Sequence, residues 1–310
     1  MNEVFFSKKN IFLLIFMSFL VIIFIFLYLE KKKDKFTNII IEKNTLSGNI
    51  KPINLDIIQA KSYIAYDILE NKIIFSKNEH QKLPLASVTK LMTGLVVLDV
   101  LPSTTVVQIS MDDIKQEGDS GLLFGEKWKL KDLLDFSLIS SSNDGMHALA
   151  SALSDYEAIN SKTAIDIMNE KAKLYGMNDT FFINETGLDI NMSISGAYSS
   201  PYDIASLLGM ILKDRPSLVL ETTKQIESFV SESNFKHVAV NTDILVNKIP
   251  SLIASKTGFT DLAGGNLAVV FDAGFMHPVA VVVLGSTSDG RFSDVDLLVQ
   301  ASLRKLSENN

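Results

Sequence analysis

The chain has 310 residues, of which 47% are hydrophobic, and its formal net charge at pH 7 is −7. It contains no cysteine, which excludes disulfides, thiolate metal sites and cysteine nucleophiles. The part after residue 58 has 21 basic and 31 acidic residues, and an acidic domain without a basic stripe argues against a nucleic-acid partner.

The first element in chain order is an apolar run over residues 11–29 that has no charged residue. As a helix it would be about 28 Å long, close to the hydrocarbon thickness of a bilayer. A cleaved signal peptide is the alternative, but the run is long for one and is followed by "EKKKDK" rather than by a small-residue cleavage site. We therefore predict a short tail (1–10), a transmembrane anchor (11–29) and a linker (30–58). By the positive-inside rule, the lysines that flank the run mildly favour a cytoplasmic C-terminal domain. The rule is weaker when a long domain must cross the membrane.

Residues 59–310 have the pattern of one α+β domain. A β-hairpin is predicted from "SYIAYDI" and "KIIFSK", which flank "LENK". Helices are predicted from "SVTKLMTGLVVLDVL", "KLKDLLDFSLI", "DGMHALASALS" and "KTAIDIMNEKAKLYG", the last capped by Gly176. Two strands, "NLAVVFDAGF" and "HPVAVVVLGST", and an amphipathic helix, "RFSDVDLLVQASLRKL", end the chain. This order indicates an antiparallel sheet flanked by helices plus a helical subdomain, with a site where the two meet.

The segment "LPLASVTKLMTG" contains a Ser-x-x-Lys pattern, which occurs three times in the chain. If this motif is taken alone, the simpler interpretation is that Ser87 caps a helix and that Lys90 is a surface residue. A long apolar helix follows Lys90, however, so its amine should be buried and neutral. A neutral amine on the same helix face as a serine can accept the hydroxyl proton. The spacing thus meets the needs of an activated serine.

Two further short motifs follow in the chain. Ser141 and Asn143 form Ser-x-Asn in "LISSSNDG", and Lys256, Thr257 and Gly258 form Lys-Thr-Gly in "SKTGFTDLAGG". Each would be an ordinary turn if it occurred alone.

The chain has four histidines: His80, His147, His237 and His277. None is arranged with a motif serine, so we expect them to be structural or surface residues. There is no His-Glu metal motif and no Gly-rich phosphate loop, and no cofactor or metal is predicted.

Ser-x-x-Lys, Ser-x-Asn and Lys-Thr-Gly, in this order, are the motif set of penicillin-binding proteins and class A β-lactamases. Together with "NETGLD", "YSSPYDIASL" and "LGSTSDGRFSDVDLL", they make the chain resemble the serine D-alanyl-D-alanine carboxypeptidases of the peptidase S11 type, from about Lys61 to its end. The resemblance implies a β-lactamase/DD-peptidase-like fold and no cofactor. It also implies peptidoglycan stem peptides and β-lactam antibiotics as partners. The catalytic domain would be extracytoplasmic, held at the cell membrane by a single N-terminal span.

The resemblance also implies a role for each motif residue. Ser87 would attack the D-Ala-D-Ala peptide bond and form an acyl-enzyme, with Lys90 as its base. Ser141 would relay the proton to the departing D-alanine. Asn143 would bind the substrate amide and help to hold Lys90.

The substrate's end would be bound by the third motif. Lys256 and Thr257 would bind the terminal carboxylate, and Gly258 would let the substrate backbone lie along the strand edge. The backbone N–H groups of Ser87 and Phe259 would form the oxyanion hole.

Some features depart from the usual family pattern. Glu185 replaces a proline in "NETGLD", and Gly145 follows Asn-Asp where alanine is commoner. The chain also stops soon after its last predicted helix, so we expect no C-terminal β domain or amphipathic anchor, and the N-terminal span would replace that anchor.

Three alternatives remain. A DD-endopeptidase uses the same motif residues as a carboxypeptidase. A β-lactamase is disfavoured because no Glu-x-x-Leu-Asn segment follows Ser-x-Asn. An inactive membrane-tethered scaffold is disfavoured because the motif set is intact.

Overall fold

The structure is a computed structural model and describes residues 53–308. The predicted tail, the anchor and most of the linker lie outside the described residues. Across residues 53–308, no helix has both the length and the apolar character needed to cross a membrane. Ile58, the last residue of the predicted linker, is buried in the core beneath the sheet.

A five-stranded antiparallel sheet forms the centre of the described region. Its strands are β1 (Ser62–Asp67), β2 (Lys72–Lys77), β10 (Leu252–Thr260), β11 (Gly264–Asp272) and β12 (Pro278–Ser286). Their order across the sheet is β10-β11-β12-β1-β2. The valine-rich middle strands β11 and β12 are buried along nearly their whole length, because helices cover both faces of the sheet. The predicted hairpin and the predicted sheet built from both ends of the domain are confirmed.

Six α-helices lie in residues 53–308. They are α1 (Lys90–Val100), α2 (Leu130–Ser140), α3 (Asn143–Tyr156), α4 (Ala164–Leu174), α5 (Pro201–Asp214) and α6 (Gly290–Glu308). The apolar side of α6 packs on one face of the sheet, through Val295, Leu298 and Val299. Helices α1 to α5 share the other core, which includes the helical block predicted from the sequence. Gly176 follows α4 with a φ of +69°, as expected of a C-terminal cap.

Seven shorter strands complete the described fold. They are β3 (Leu83–Pro84), β4 (Val106–Gln108), β5 (Lys127–Lys129), β6 (Phe181–Phe182), β7 (Ala197–Ser199), β8 (Ile226–Val230) and β9 (Lys236–Val240). Strand β3 leads directly into the segment that carries Ser87, and it pairs with β7.

The Lys-Thr-Gly motif lies inside β10. It is therefore not the ordinary turn that the motif would indicate if it occurred alone. Glycine is unfavourable in a strand, but the pairing of eight β10 residues with β11 outweighs that preference. Strand β10 is an edge strand among the described residues. Two of its backbone groups have side-chain partners, because the Ser255 N–H donates to Thr222 Oγ1 and the Thr257 carbonyl accepts from Lys256 Nζ.

Candidate active site

Ser87 lies in a 3₁₀ turn, Ala86–Thr89, that runs directly into α1. Ala86 has a φ of +48°, in the left-handed region that residues with a Cβ rarely adopt. Gly187 packs against this turn so closely that a Cβ on it would lie 1.9 Å from the Ala86 carbonyl oxygen. The strained turn is therefore held in place from outside, and it presents the Ser87 hydroxyl at the start of α1.

Lys90 is the first residue of α1 and its side chain is fully buried. Its Nζ lies 2.7 Å from Ser87 Oγ, 2.6 Å from Asn143 Oδ1 and 3.1 Å from the Thr186 carbonyl oxygen. Burial lowers the pKa of Lys90 well below its usual value, and the nearby Lys256 lowers it further, while Glu185 opposes both. The amine is thus favoured in its neutral form next to the Ser87 hydroxyl.

Ser141 and Asn143 come from the tight junction between α2 and α3. Ser141 ends α2 with a φ of +62°, and the Ser142 hydroxyl caps α3 by accepting a hydrogen bond of 2.9 Å from the Gly145 N–H. The Asn143 amide is fixed at both ends, because its Nδ2 donates to the Glu117 carbonyl at 2.6 Å and its Oδ1 accepts from Lys90. The junction therefore orients both motif side chains toward the site.

Lys256 brings a second buried amine to the same region. Its Nζ donates to Ser141 Oγ at 2.9 Å and to the Thr257 carbonyl oxygen at 3.0 Å. Burial lowers the pKa of Lys256 to about 7, the charge of Arg291 adds to this, and Asp243 opposes it. Both hydrogen-bond acceptors are neutral, so an anion that reached Lys256 would stabilise its charged form.

Gly258 lies against the nucleophile turn. A Cβ on it would be 2.8 Å from the Leu85 carbonyl oxygen and 3.1 Å from the Ser87 nitrogen. Glycine thus allows β10 to approach the Ser87 backbone, in addition to leaving room along the strand edge. The Gly258 carbonyl accepts a hydrogen bond of 2.9 Å from Arg291 Nη1. Because C=O and N–H of one trans peptide unit point in opposite directions, the N–H of Phe259 points away from Arg291.

The loop over residues 184–189 joins the two halves of the site. Asn184 Oδ1 accepts from the Gly187 N–H at 2.7 Å, which sets the loop's turn. The Thr186 carbonyl accepts from Lys90, and Asp189 accepts from Thr260 Oγ1 at 3.0 Å at the end of β10. The loop therefore contacts both the base of the first motif and the strand of the third.

The sequence-predicted residues fall into two hydrogen-bonded groups that meet at the nucleophile turn. Ser87, Lys90 and Asn143 form the first, and Ser141 with Lys256 forms the second. Thr257 Oγ1 lies 2.5 Å from Thr242 Oγ1, and Phe259 is half exposed beside Gly258.

Several neighbours of this site were not predicted from the sequence. Thr186 and Arg291 contact it through a carbonyl and a guanidinium, and their segments were noted only as parts of the resemblance. Thr242 has no signal in the sequence at all.

Each of the four histidines is hydrogen-bonded to a carboxylate, and the pairs are His80–Asp179, His147–Asp113, His237–Glu126 and His277–Asp67. Over residues 53–308, no group of three or more His, Asp or Glu side chains is placed to hold a metal ion.

The chain has clear similarity to known proteins. The Peptidase S11 family model, described as D-alanyl-D-alanine carboxypeptidase, matches residues 50–288. The D-alanyl-D-alanine carboxypeptidase DacF of Bacillus subtilis is 31% identical over 244 residues, which are 76% of this chain and 60% of DacF. This chain thus spans less than two thirds of that relative's length.

Two other similar proteins are an endopeptidase and a penicillin-binding protein whose crystal structure contains ampicillin. A D-alanyl-D-alanine endopeptidase of Escherichia coli is 32% identical over 232 residues, which cover 73% of this chain and 71% of that protein. The crystal structure of penicillin-binding protein D2 from Listeria monocytogenes, in its ampicillin-bound form, superposes with a TM-score of 0.65 at 24% identity. It covers 79% of this chain and 98% of that one, and at this identity it shows a common fold.

Proposed function

The chain belongs to the D-alanyl-D-alanine carboxypeptidase family, peptidase S11, and from this premise we propose that it is a serine DD-peptidase. It would remove the terminal D-alanine from peptidoglycan stem peptides through an acyl-enzyme on Ser87. The observation that carries this proposal is the Lys90 amine, fully buried and 2.7 Å from the Ser87 hydroxyl. A neutral amine at that distance can act as a general base.

Acylation follows from this contact. Lys90 takes the proton of Ser87 Oγ as the oxygen attacks the substrate carbonyl carbon and forms the new C–O bond. The oxyanion then accepts hydrogen bonds from the backbone N–H groups of Ser87 and Phe259. When the C–N bond breaks, the leaving D-alanine amine receives the proton held by Lys90, relayed by Ser141, whose hydroxyl accepts a hydrogen bond from Lys256 Nζ. Water hydrolyses the ester and restores the Ser87 hydroxyl.

Substrate selection rests on the third motif. The free carboxylate of the terminal D-alanine pairs with the Lys256 ammonium and accepts a hydrogen bond from the Thr257 hydroxyl. The peptide backbone adds to the outer edge of β10 as an antiparallel strand. Both acceptors of the buried Lys256 amine are neutral, which supports a substrate that ends in a carboxylate.

A β-lactam would acylate Ser87 in the same way. Its ring nitrogen stays attached to the acyl group after opening, so it blocks the path of the hydrolytic water and the ester accumulates. Penicillin-binding protein D2 from Listeria monocytogenes, which shares this fold, has a crystal structure in an ampicillin-bound form. That structure supports the proposal that this chain also binds β-lactams.

We place the domain on the outer side of the cell membrane, because its proposed substrate is cell-wall peptide. The apolar run over residues 11–29 would be its single span. The cysteine-free chain allows a clean test of this placement. A single cysteine introduced in the linker should react with an impermeant thiol reagent in intact cells, and protection from the reagent would overturn it.

The catalytic test uses two substrates with the purified protein. A carboxypeptidase releases D-alanine from a pentapeptide, whereas an endopeptidase converts a cross-linked dimer to monomers. We expect D-alanine release, and we expect it to be lost in Ser87→Ala. Monomer release without D-alanine would instead favour the endopeptidase, whose named relative in E. coli keeps this alternative open. Turnover of neither substrate would refute the proposed activity.

A further inference from the structure

A second charged cluster lies beside the proposed base and consists of Asp113, His147 and Glu185. His147 is one helical turn after Asn143 on α3, so both side chains lie on the same face of that helix. The imidazole Nδ1 is 2.6 Å from Asp113 Oδ1, and its Nε2 is 3.9 Å from Glu185 Oε1. One ring therefore bridges two carboxylates, one of which belongs to the loop over residues 184–189.

The environment of His147 favours its protonated form. Asp113 is almost completely buried, and its second oxygen accepts a hydrogen bond of 2.7 Å from the Ser110 N–H. The hydrogen bond to Asp113 raises the pKa of His147, the negative charges of Glu185 and Asp112 raise it further, and burial opposes them. An imidazolium between these carboxylates is thus electrostatically supported from both sides.

Glu185 is held close to Lys90 by its own backbone. Its carbonyl accepts a hydrogen bond of 2.6 Å from Thr93 Oγ1, one turn after Lys90 on α1. The next carbonyl, of Thr186, accepts directly from Lys90 Nζ. The Glu185 carboxylate raises the pKa of Lys90, against the lowering caused by burial and by Lys256. An uncompensated Glu185 would thus favour the protonated, inactive form of the base.

We propose that His147 is a positioning residue whose imidazolium balances the Glu185 carboxylate and so keeps Lys90 in its neutral, proton-accepting form. This inference rests on the proposed function, since it concerns the base of the acylation step. The charged groups that face His147 are Asp113, Asp112 and Glu185, and those that face Lys90 are Glu185 and Lys256.

The test is the pH dependence of acylation by a fluorescent penicillin, from pH 5 to pH 10. In His147→Gln, an amide can keep the hydrogen bond to Asp113 but carries no charge. We expect the acid limb of its rate profile to move upward by about one pH unit, while the rate at high pH is retained. Glu185→Gln should move the limb downward. The double variant should match Glu185→Gln, because His147 acts only through Glu185.

Glu170→Gln is the matched control. Glu170 lies on α4 in an exposed ion pair with Lys162, and the substitution removes the same charge as Glu185→Gln. The acid limb of this variant should coincide with that of the wild type.

Two results with His147→Gln would overturn the inference. One is an unmoved acid limb in folded His147→Gln. The other is a rate lowered equally at every pH, which would indicate a purely structural role. If His147→Gln fails to fold, Glu185→Gln decides, and an unmoved or raised limb there would refute the charge balance. A wild-type protein that takes no label at any pH would instead refute the proposed function, and the inference with it.

Discussion

Replacing Gly258 with alanine tests how closely β10 must approach the nucleophile turn. The added Cβ would lie 2.8 Å from the Leu85 carbonyl oxygen, 3.1 Å from the Ser87 nitrogen and 3.2 Å from Ala86 Cβ. A comfortable carbon–oxygen contact is about 3.3 Å, so the strand and the turn must separate by roughly 0.5 Å. Two of these three contacts are to backbone atoms, which cannot rotate out of the way, and β10 is fixed on its other side by pairing with β11.

This separation would widen the space between the N–H groups of Ser87 and Phe259. A misplacement of about 1 Å can cost about 100-fold in rate, so half of that should cost about 10-fold or more. The assay is the second-order rate constant for labelling by a fluorescent penicillin, with thermal unfolding measured in parallel. We expect slower labelling together with a loss of stability of about 1–3 kcal/mol.

Gly209→Ala is the matched control for this substitution. Its added Cβ would lie 3.4 Å from Ile68 Cγ2, an ordinary contact, inside α5. Alanine is the better helix former by about 1 kcal/mol, so stability should hold or rise and labelling should be unchanged. Labelling of folded Gly258→Ala at the wild-type rate would refute the close-approach reasoning.

Two other outcomes are expected. A Cβ on Gly145 would lie 2.1 Å from Ser137 Oγ, so Gly145→Ala should lower the free energy of unfolding by about 1–3 kcal/mol, and adding Ser137→Ala should restore most of it. Urea unfolding measures both, and a stable single variant would contradict the steric explanation. The second outcome concerns Lys256, whose pKa of about 7 in the free protein is raised when a carboxylate binds. Pentapeptide affinity for Ser87→Ala, measured by calorimetry, should thus fall by up to tenfold per unit as pH rises above 7. A peptide ending in a carboxamide should show no such dependence, and equal behaviour of the two peptides would contradict the assigned carboxylate site.

The parts of the fold that follow from local pattern were predicted well. The β-prone runs of β1 and β2 and the apolar spacing of α1, α3 and α4 are properties of short segments, and the structure has these elements where the sequence indicates them. The hairpin of β8 and β9 was not predicted. Its exposed face carries Ile226 and Val238, so it lacks a clear alternation of polar and apolar residues.

The site could be predicted only as far as its motifs extend. Ser87 and Lys90 are three residues apart, and the sequence alone indicates their contact. The hydrogen bond from Arg291 to Gly258 joins residues 33 apart, and no local pattern encodes it. His147 was expected to be structural or exposed because it is not arranged with a motif serine. Its partner Glu185 is distant in sequence and lies on a loop that only the fold brings to α3.

Gly145 is a second position whose structural reason cannot be predicted from the local sequence. The sequence marks it as a departure from alanine, and the reason lies in Ser137 on the preceding helix. Ser137 Oγ occupies the space of the missing methyl group while it donates to the Leu133 carbonyl at 2.6 Å. Packing between helices, rather than any local preference, thus explains this residue.

The most direct test of the account is the mass of the intact protein after exposure to a penicillin, followed by peptide mapping. The account predicts one added penicilloyl group, located on the Ser87 side chain and absent from Lys90→Met, in which the amine is replaced by an apolar chain of similar length. An adduct on any other residue, or full modification of the Lys90→Met variant, would contradict it.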